Sequence, residues 1–205
     1  MRIAVIGAGS VGRALAGAFE RTGHQVIVGV RDPDGAKHAD LTHERATPRA
    51  AADGAAVVVL AVPAPALVEA IPALGLVGGT VVLDATNAVG APPPGGHATV
   101  GDLVASLVPE GVAVAKAFDT IGAEHLATGT VDGAPVLLPV AGDEAATAVA
   151  LELGAAIGFD AVVVGGREAF AMVEQHAALW IALMRRGWGR DFGFAVIGSP
   201  RRGEP

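Results

Sequence analysis

Arg2-Ile3-Ala4-Val5-Ile6-Gly7-Ala8-Gly9-Ser10-Val11-Gly12 places an apolar strand directly before a G-x-G-x-x-G turn. Behind it, Val11, Ala14, Leu15, Ala18 and Phe19 recur at i, i+3, i+4, i+7 and i+8, one face of a helix, and Gly23 marks its stop. A glycine fingerprint alone is weak, but between a strand and a helix, in a unit of about 30 residues, it predicts a dinucleotide-binding turn. Gly7 permits the turn, Gly9 lets backbone approach a pyrophosphate and Gly12 lets the helix pack close. Ala8, Ser10 and Val11 complete the phosphate-facing backbone at the positive end of the helix.

The second strand, Gln25 to Val30, bears on which dinucleotide binds. NAD sites carry an acidic residue at its end for the ribose 2′-OH, whereas NADP sites bring an arginine to the 2′-phosphate. Here the strand runs into Arg31-Asp32, which favours NADP with Arg31 as the phosphate clamp. Asp32 as the ribose acceptor of NAD is the competing reading, and a solvated arginine beside the turn Asp32-Pro33-Asp34-Gly35 is the plainest one.

The 205 residues are 52% apolar and suffice for a sizeable core. A net charge of −7, with no long basic run, argues against nucleic acid as a partner. The absence of an apolar run of about 18 residues predicts no membrane span and a cytoplasmic protein. Zero cysteines exclude disulfides and thiolate chemistry. The six histidines form no H-x-x-x-H pair, so no metal site is expected.

Further along, Gly35 to Ala39 and Thr47 to Ala52 are expected as short helices, and Ala55 to Val62 as a buried parallel strand stopped by Pro63. A helix from Pro65 to Ala73 and a strand from Thr80 to Leu83 follow. The alternation predicts an α/β fold with a Rossmann-type doubly wound, mostly parallel sheet. Ligands in such sheets sit beyond the carboxyl ends of the strands, which directs attention to Ala61-Val62-Pro63 and to Asp84-Ala85-Thr86-Asn87. Asn87 either orients a carboxamide or satisfies a turn.

The proline-rich loop Gly90 to Gly96 is either a lid or a plain connection. Thr99 to Leu107 is expected as a helix and Gly111 to Phe118 as a strand carrying Lys116, one of two lysines, placed to hold an anionic substrate group or to reach solvent. Thr120 to Ala127, Pro135 to Val140, Asp143 to Ile157 and Phe159 to Val164 read as helix, strand, helix and strand. The final helix, Glu168 to Arg185, is apolar on most of its circumference, which predicts burial on several sides and a subunit interface. An aromatic turn, Gly187 to Phe194, and a polar tail, Ser199 to Pro205, end the chain. The expected division is a nucleotide-binding domain over 1–140 and a small C-terminal α/β lobe over 141–205.

The strings MRIAVIGAGSVGRALA, VGVRDP, AVVVLAVP, VLDATNAV, VAKAFDTIGAEHLA, PVLLPVAGDEAA and LWIALMRRGWGRDFGF together resemble the NADPH-dependent coenzyme F420 reductases, and also the reductase domain of the STEAP metalloreductases, which pairs NADPH with a flavin. The resemblance implies hydride transfer between NADP(H) and coenzyme F420, a small-molecule hydride acceptor as partner, and a homodimer. It implies Arg31 on the 2′-phosphate and Pro63, Thr86 and Asn87 around the nicotinamide, in the region where Lys116 and Thr120 also fall. Two positions depart from the family pattern. Asp119 replaces the asparagine of a common KAFNT string, putting a carboxylate where it either repels an anionic ring or takes a proton. Ala171 stands where the family often has an arginine, leaving Arg167 as the nearest cation. Asp119 and His176 are the candidate proton carriers, with catalysis mainly by positioning. The alternatives are a flavin, imine or ketone reductase, or a non-catalytic NADP-binding sensor.

Overall fold

The computed structural model describes residues 1–198; the tail expected at 199–205 lies outside them. The elements are β1 (Arg2–Ile6), α1 (Ser10–Arg21), β2 (Gln25–Gly29), β3 (Glu44–Ala46), α2 (Pro48–Ala52), β4 (Val57–Leu60), α3 (Leu67–Leu74), β5 (Val81–Asp84), α4 (Val100–Leu107) and β6 (Ala113–Lys116). They continue with α5 (Ala123–Leu126), β7 (Thr130–Val131), β8 (Ala134–Pro135), β9 (Leu137–Gly142), α6 (Glu144–Ile157), β10 (Asp160–Gly165) and α7 (Phe170–Leu183).

Eight strands form one sheet in the order β10-β9-β6-β5-β4-β1-β2-β3. From β3 across to β6 all neighbours are parallel, as right-handed strand–helix–strand crossovers require. β9 then runs antiparallel to β6, and β10 parallel to β9. Gly142 makes that reversal possible: opposite Ala115 it has φ +141°, and a Cβ there would stand 2.2 Å from the Val114 carbonyl oxygen. The boundary expected near residue 140 lies within β9, and the sheet continues beyond it through β10.

The sheet is buried on both faces, which is why its strands read as continuous apolar runs. Along β1, Ile3 and Val5 enter one core with Leu15, Phe19, Phe118 and Leu153, while Ala4 and Ile6 enter the other with Leu60, Leu67, Ile71 and Phe170. α1 and α6 cover the first face; α2, α3, α4 and α7 cover the second.

Three expectations change. The helix expected from Thr120 starts at Ala123, because the chain leaves β6 through Phe118 in the left-handed region (φ +65°) and buries Asp119 and Thr120 in a loop. The edge strand β3 went unread because its polar sequence, Glu-Arg-Ala, pairs only on one side, through bonds such as Val30 N–H to the Ala46 carbonyl at 2.9 Å. α7 is buried on one face only, through Phe170, Val173, Ala177 and Trp180, while Met172 is 57% and Leu179 50% exposed. Among the described residues no helix is long and apolar enough to cross a membrane.

Candidate active site

The carboxyl edge of the parallel strands begins with the glycine turn. Gly7 has φ +112°, and a Cβ on it would lie 2.4 Å from the Ala61 carbonyl oxygen; one on Gly12 would lie 2.0 Å from that of Gly7. Side chains are therefore excluded where β1, α1 and the exit of β4 meet. Around the Cβ position of Gly9, by contrast, there is open space to 4 Å, and Gly9 caps α1 without any side-chain hydrogen bond. The first turn of α1 holds no acidic residue, so its N–H groups and dipole are unopposed. This cradle suits a pyrophosphate.

Arg31 and Asp32 follow buried Val30 and are both exposed. The Asp32 carboxylate folds back over its own turn, 2.6 Å from where a Gly35 Cβ would be. Arg31 makes no ion pair among the described residues. The guanidinium of Arg13, on α1, is structural. It donates to the Ala8 carbonyl at 2.9 Å and grips Asp40 with two bonds of 3.0 Å, tying the segment after β2 to the glycine turn.

Beyond β5 and β6 lies a buried charged cluster. Lys116 is fully buried; its ammonium donates to Asp84 at 2.9 Å and to the Thr86 carbonyl, and lies 3.2 Å from Glu174 and 3.9 Å from Asp119. The expectation that Lys116 holds a substrate anion or reaches solvent is corrected: its charge is committed to three carboxylates. Burial acts to lower its pKa, but Asp84, Asp119 and Glu174 together hold it above the ordinary value. Asp84 also accepts from the Thr86 N–H at 2.9 Å and from its hydroxyl, fixing the Thr86-Asn87 turn. The Asn87 amide donates to the Asp119 carbonyl at 2.7 Å.

Asp119 is the exception in this cluster. Among the described residues neither carboxylate oxygen has a hydrogen-bond partner, nor has the buried Thr120 hydroxyl. Burial pushes the Asp119 pKa up from 3.8 to about 7; Lys116 opposes the shift, and Asp84 and Glu174 add to it. A raised native pKa means that the folded state binds the extra proton. The resulting stability is full below 3.8 and is lost as pH rises through about 7. Thermal melts across that window are expected to fall with pH, and Asp119→Asn to flatten the fall; an equal slope in both proteins would contradict it.

A cleft of about 300 Å³ opens beside this cluster, between the proline-rich loop and α7. Ala88, Ala91, Pro92 and Pro93 form one wall, and Ala171, Glu174, Gln175, Ala178 and Ile181, one face of α7, form the other. Asn87 and the helix-capping Thr99 stand between them. Sequence reading missed Glu174; its signal was a lone carboxylate on a helix face of small residues. His176 is elsewhere, packed on Phe194 with ring centroids 4.7 Å apart, and burial lowers its pKa. Arg167 is also engaged: it pairs with Asp143 through bonds of 2.8 and 2.6 Å.

An open glycine turn at the carboxyl edge of a doubly wound sheet defines a Rossmann-type dinucleotide-binding protein. Residues 2–88 match the family described as NADP oxidoreductase, coenzyme F420-dependent. A protein from Arthrobacter sp. FB24, provisionally designated an F420-dependent NADP-reductase, is 28% identical with a TM-score of 0.83, covering 97% of this chain and 100% of its own. The hypothetical protein SMa0349 from Sinorhizobium meliloti is 30% identical over 82% of this chain and 87% of its own, with a TM-score of 0.72. An imine reductase from Aspergillus terreus, solved with NADPH4 and dibenz[c,e]azepine, shares the fold at 20% identity and a TM-score of 0.67; 90% of this chain spans 61% of that one. No curated sequence matches significantly. Over residues 2–88 the chain thus carries the sequence pattern of the F420-dependent NADP oxidoreductases, and it is an NADP-dependent oxidoreductase.

Proposed function

We propose that the chain transfers a hydride between nicotinamide C4 of NADP(H) and C5 of the deazaflavin coenzyme F420, with the deazaflavin ring in the cleft between the proline-rich loop and α7. The observation that carries this is the position of the cleft: it opens at Asn87, on the same strand edge as the Gly9 cradle. A dinucleotide lying along that edge reaches the cleft with its nicotinamide. In this reading Gly7 to Gly12 hold the pyrophosphate and Arg31, free of an ion pair among the described residues, takes the 2′-phosphate. Ala61, Val62, Pro63, Thr86 and Asn87 flank the nicotinamide. Lys116 and Thr120 shape that wall from behind without reaching the ligand. Catalysis is mainly alignment of two rings and exclusion of water by the proline wall and the facing side of α7.

A second acceptor class, a flavin or a small imine or ketone, is favoured by one observation: among the described residues no basic side chain lines the cleft, while Glu174 does. The deciding assay mixes the protein with NADPH or NADH and oxidised F420, FMN, FAD or a cyclic imine. Bleaching of F420 with NADPH alone supports the first reading, reduction of another acceptor the second. Saturable NADPH binding without any turnover supports a sensor.

The same reading includes a homodimer. Met172 and Leu179 project from α7 two turns apart, 57% and 50% exposed, an apolar strip that a second copy would cover. Native mass spectrometry is expected to give a dimer that Leu179→Lys with Met172→Lys converts to monomer; a monomeric wild type would contradict it.

A further inference from the structure

Reducing a deazaflavin or an imine consumes a proton as well as a hydride. The hydride moves from nicotinamide C4 to the electrophilic carbon, and the conjugated nitrogen takes the proton, so that NADPH, acceptor and H⁺ give NADP⁺ and the reduced acceptor. Catalysis by alignment leaves that proton without a source. Among the described residues lining the cleft, Glu174 is the one titratable side chain; Asn87, Thr99 and Gln175 do not ionise in the working range. His176 faces Phe194 instead.

Glu174 is itself wired inward. It accepts from the Gly101 N–H at 3.0 Å, which fixes its carboxylate, and the same Oε1 lies 3.2 Å from the Lys116 ammonium. On its other side Lys116 reaches Asp119 at 3.9 Å, the carboxylate whose two oxygens have no hydrogen-bond donor. The charged groups facing Asp119 are Lys116 from β6, Asp84 from β5 and Glu174 from α7. Three carboxylates around one ammonium carry an excess charge of −2 when all are ionised, which in a buried site favours retention of one further proton.

We propose that Glu174 is the catalytic proton donor of the cleft and that Asp119, linked to it by the positioning residue Lys116, stores the proton that recharges it. This rests on the reading of the cleft as the acceptor site. The cluster's one extra proton rests on Asp119 and passes to Glu174 before the hydride arrives: Glu174 takes a proton from Lys116 Nζ, and Lys116 takes one from the Asp119 carboxyl. As the hydride arrives, that Glu174 O–H bond breaks and an N–H bond forms on the acceptor. Solvent in the cleft then returns one proton to the cluster through Glu174, whose side chain is 16% exposed where that of Asp119 is fully buried. The pair holds the proton up to neutral pH, consistent with the raised Asp119 pKa of about 7.

The test compares wild type, Glu174→Gln and Asp119→Asn with NADPH and each of oxidised F420, FMN and 1-pyrroline. Glutamine keeps the hydrogen bond to Gly101, so Glu174→Gln is expected to fold, to bind NADPH as wild type does, and to lose roughly 100-fold in kcat. Asp119→Asn is expected to lose the decline of kcat above neutral pH while its KM stays the same. An activity-independent reading comes from infrared titration of the protein without acceptor. A protonated-carboxyl band should disappear near pH 7 in wild type and be missing in Asp119→Asn. Unchanged kcat in Glu174→Gln, or no such band in wild type at pH 6, overturns the relay alone. A wild type that reduces none of the three acceptors overturns the parent reading, and the relay with it.

Discussion

Replacing Lys116 by methionine is expected to destabilise the fold by about 3–5 kcal/mol, the usual cost of stripping the counter-ion from buried charge. Methionine matches the volume of the lysine stem but leaves Asp84, Asp119 and Glu174 facing one another around a fully buried position. The Thr86 carbonyl loses its donor at the same time, which loosens the turn that carries Asn87. Denaturant unfolding measures the loss directly. A change below about 1 kcal/mol, the scale of an ordinary surface substitution, would mean that the ammonium is not what neutralises the cluster. Loss of stability without loss of NADPH affinity is the signature expected of a residue that works from behind the site.

Arg31→Ala carries the second large effect. Two charge-assisted hydrogen bonds to a 2′-phosphate are worth enough that the Kd for NADPH should rise roughly 10- to 100-fold, with little change for NADH. Equal weakening of both nucleotides, by calorimetry, would remove Arg31 from the phosphate. Asp32, folded over its own Gly35 turn, is expected to contribute little to the choice.

The parallel half of the fold was legible because burial on both faces leaves an unambiguous trace: Val57 to Leu60 and Val81 to Leu83 are uninterrupted apolar runs. Strand direction leaves none, so the reversal at β9 depended on Gly142, whose need for a positive φ is invisible among many other glycines. The β7–β8 hairpin did have a signal that went unread. Asp132-Gly133 between Val131 and Ala134 takes φ +50° and +78°, as a tight two-residue hairpin loop requires. In α7 the apolar composition was read as all-round burial, but Met172 and Leu179 lie outside the spacing of Phe170, Val173, Ala177 and Trp180.

The glycine turn was legible because its geometry is local: the six residues Gly7 to Gly12 set the spacing, the conformation and the helix dipole together. The cluster behind the cleft was not. Its members lie 32 residues apart at Asp84 and Lys116 and come from three elements, so no window of sequence contains them. Asp119 stood out only against the family pattern, and Lys116 invited the opposite reading, since an isolated lysine at a strand end looks free until its three carboxylates are in place.

Direct hydride transfer from NADPH to an acceptor held in the cleft is best tested by isotope. NADPH carrying deuterium at C4, in its two stereochemical forms, is incubated with the protein and the accepted substrate, and the product is analysed by mass spectrometry. One form is expected to deliver its deuterium to the acceptor carbon, and the other to retain it on NADP⁺. Product formed without deuterium from either form, or with label washed into solvent, would contradict hydride transfer between two rings aligned at the strand edge.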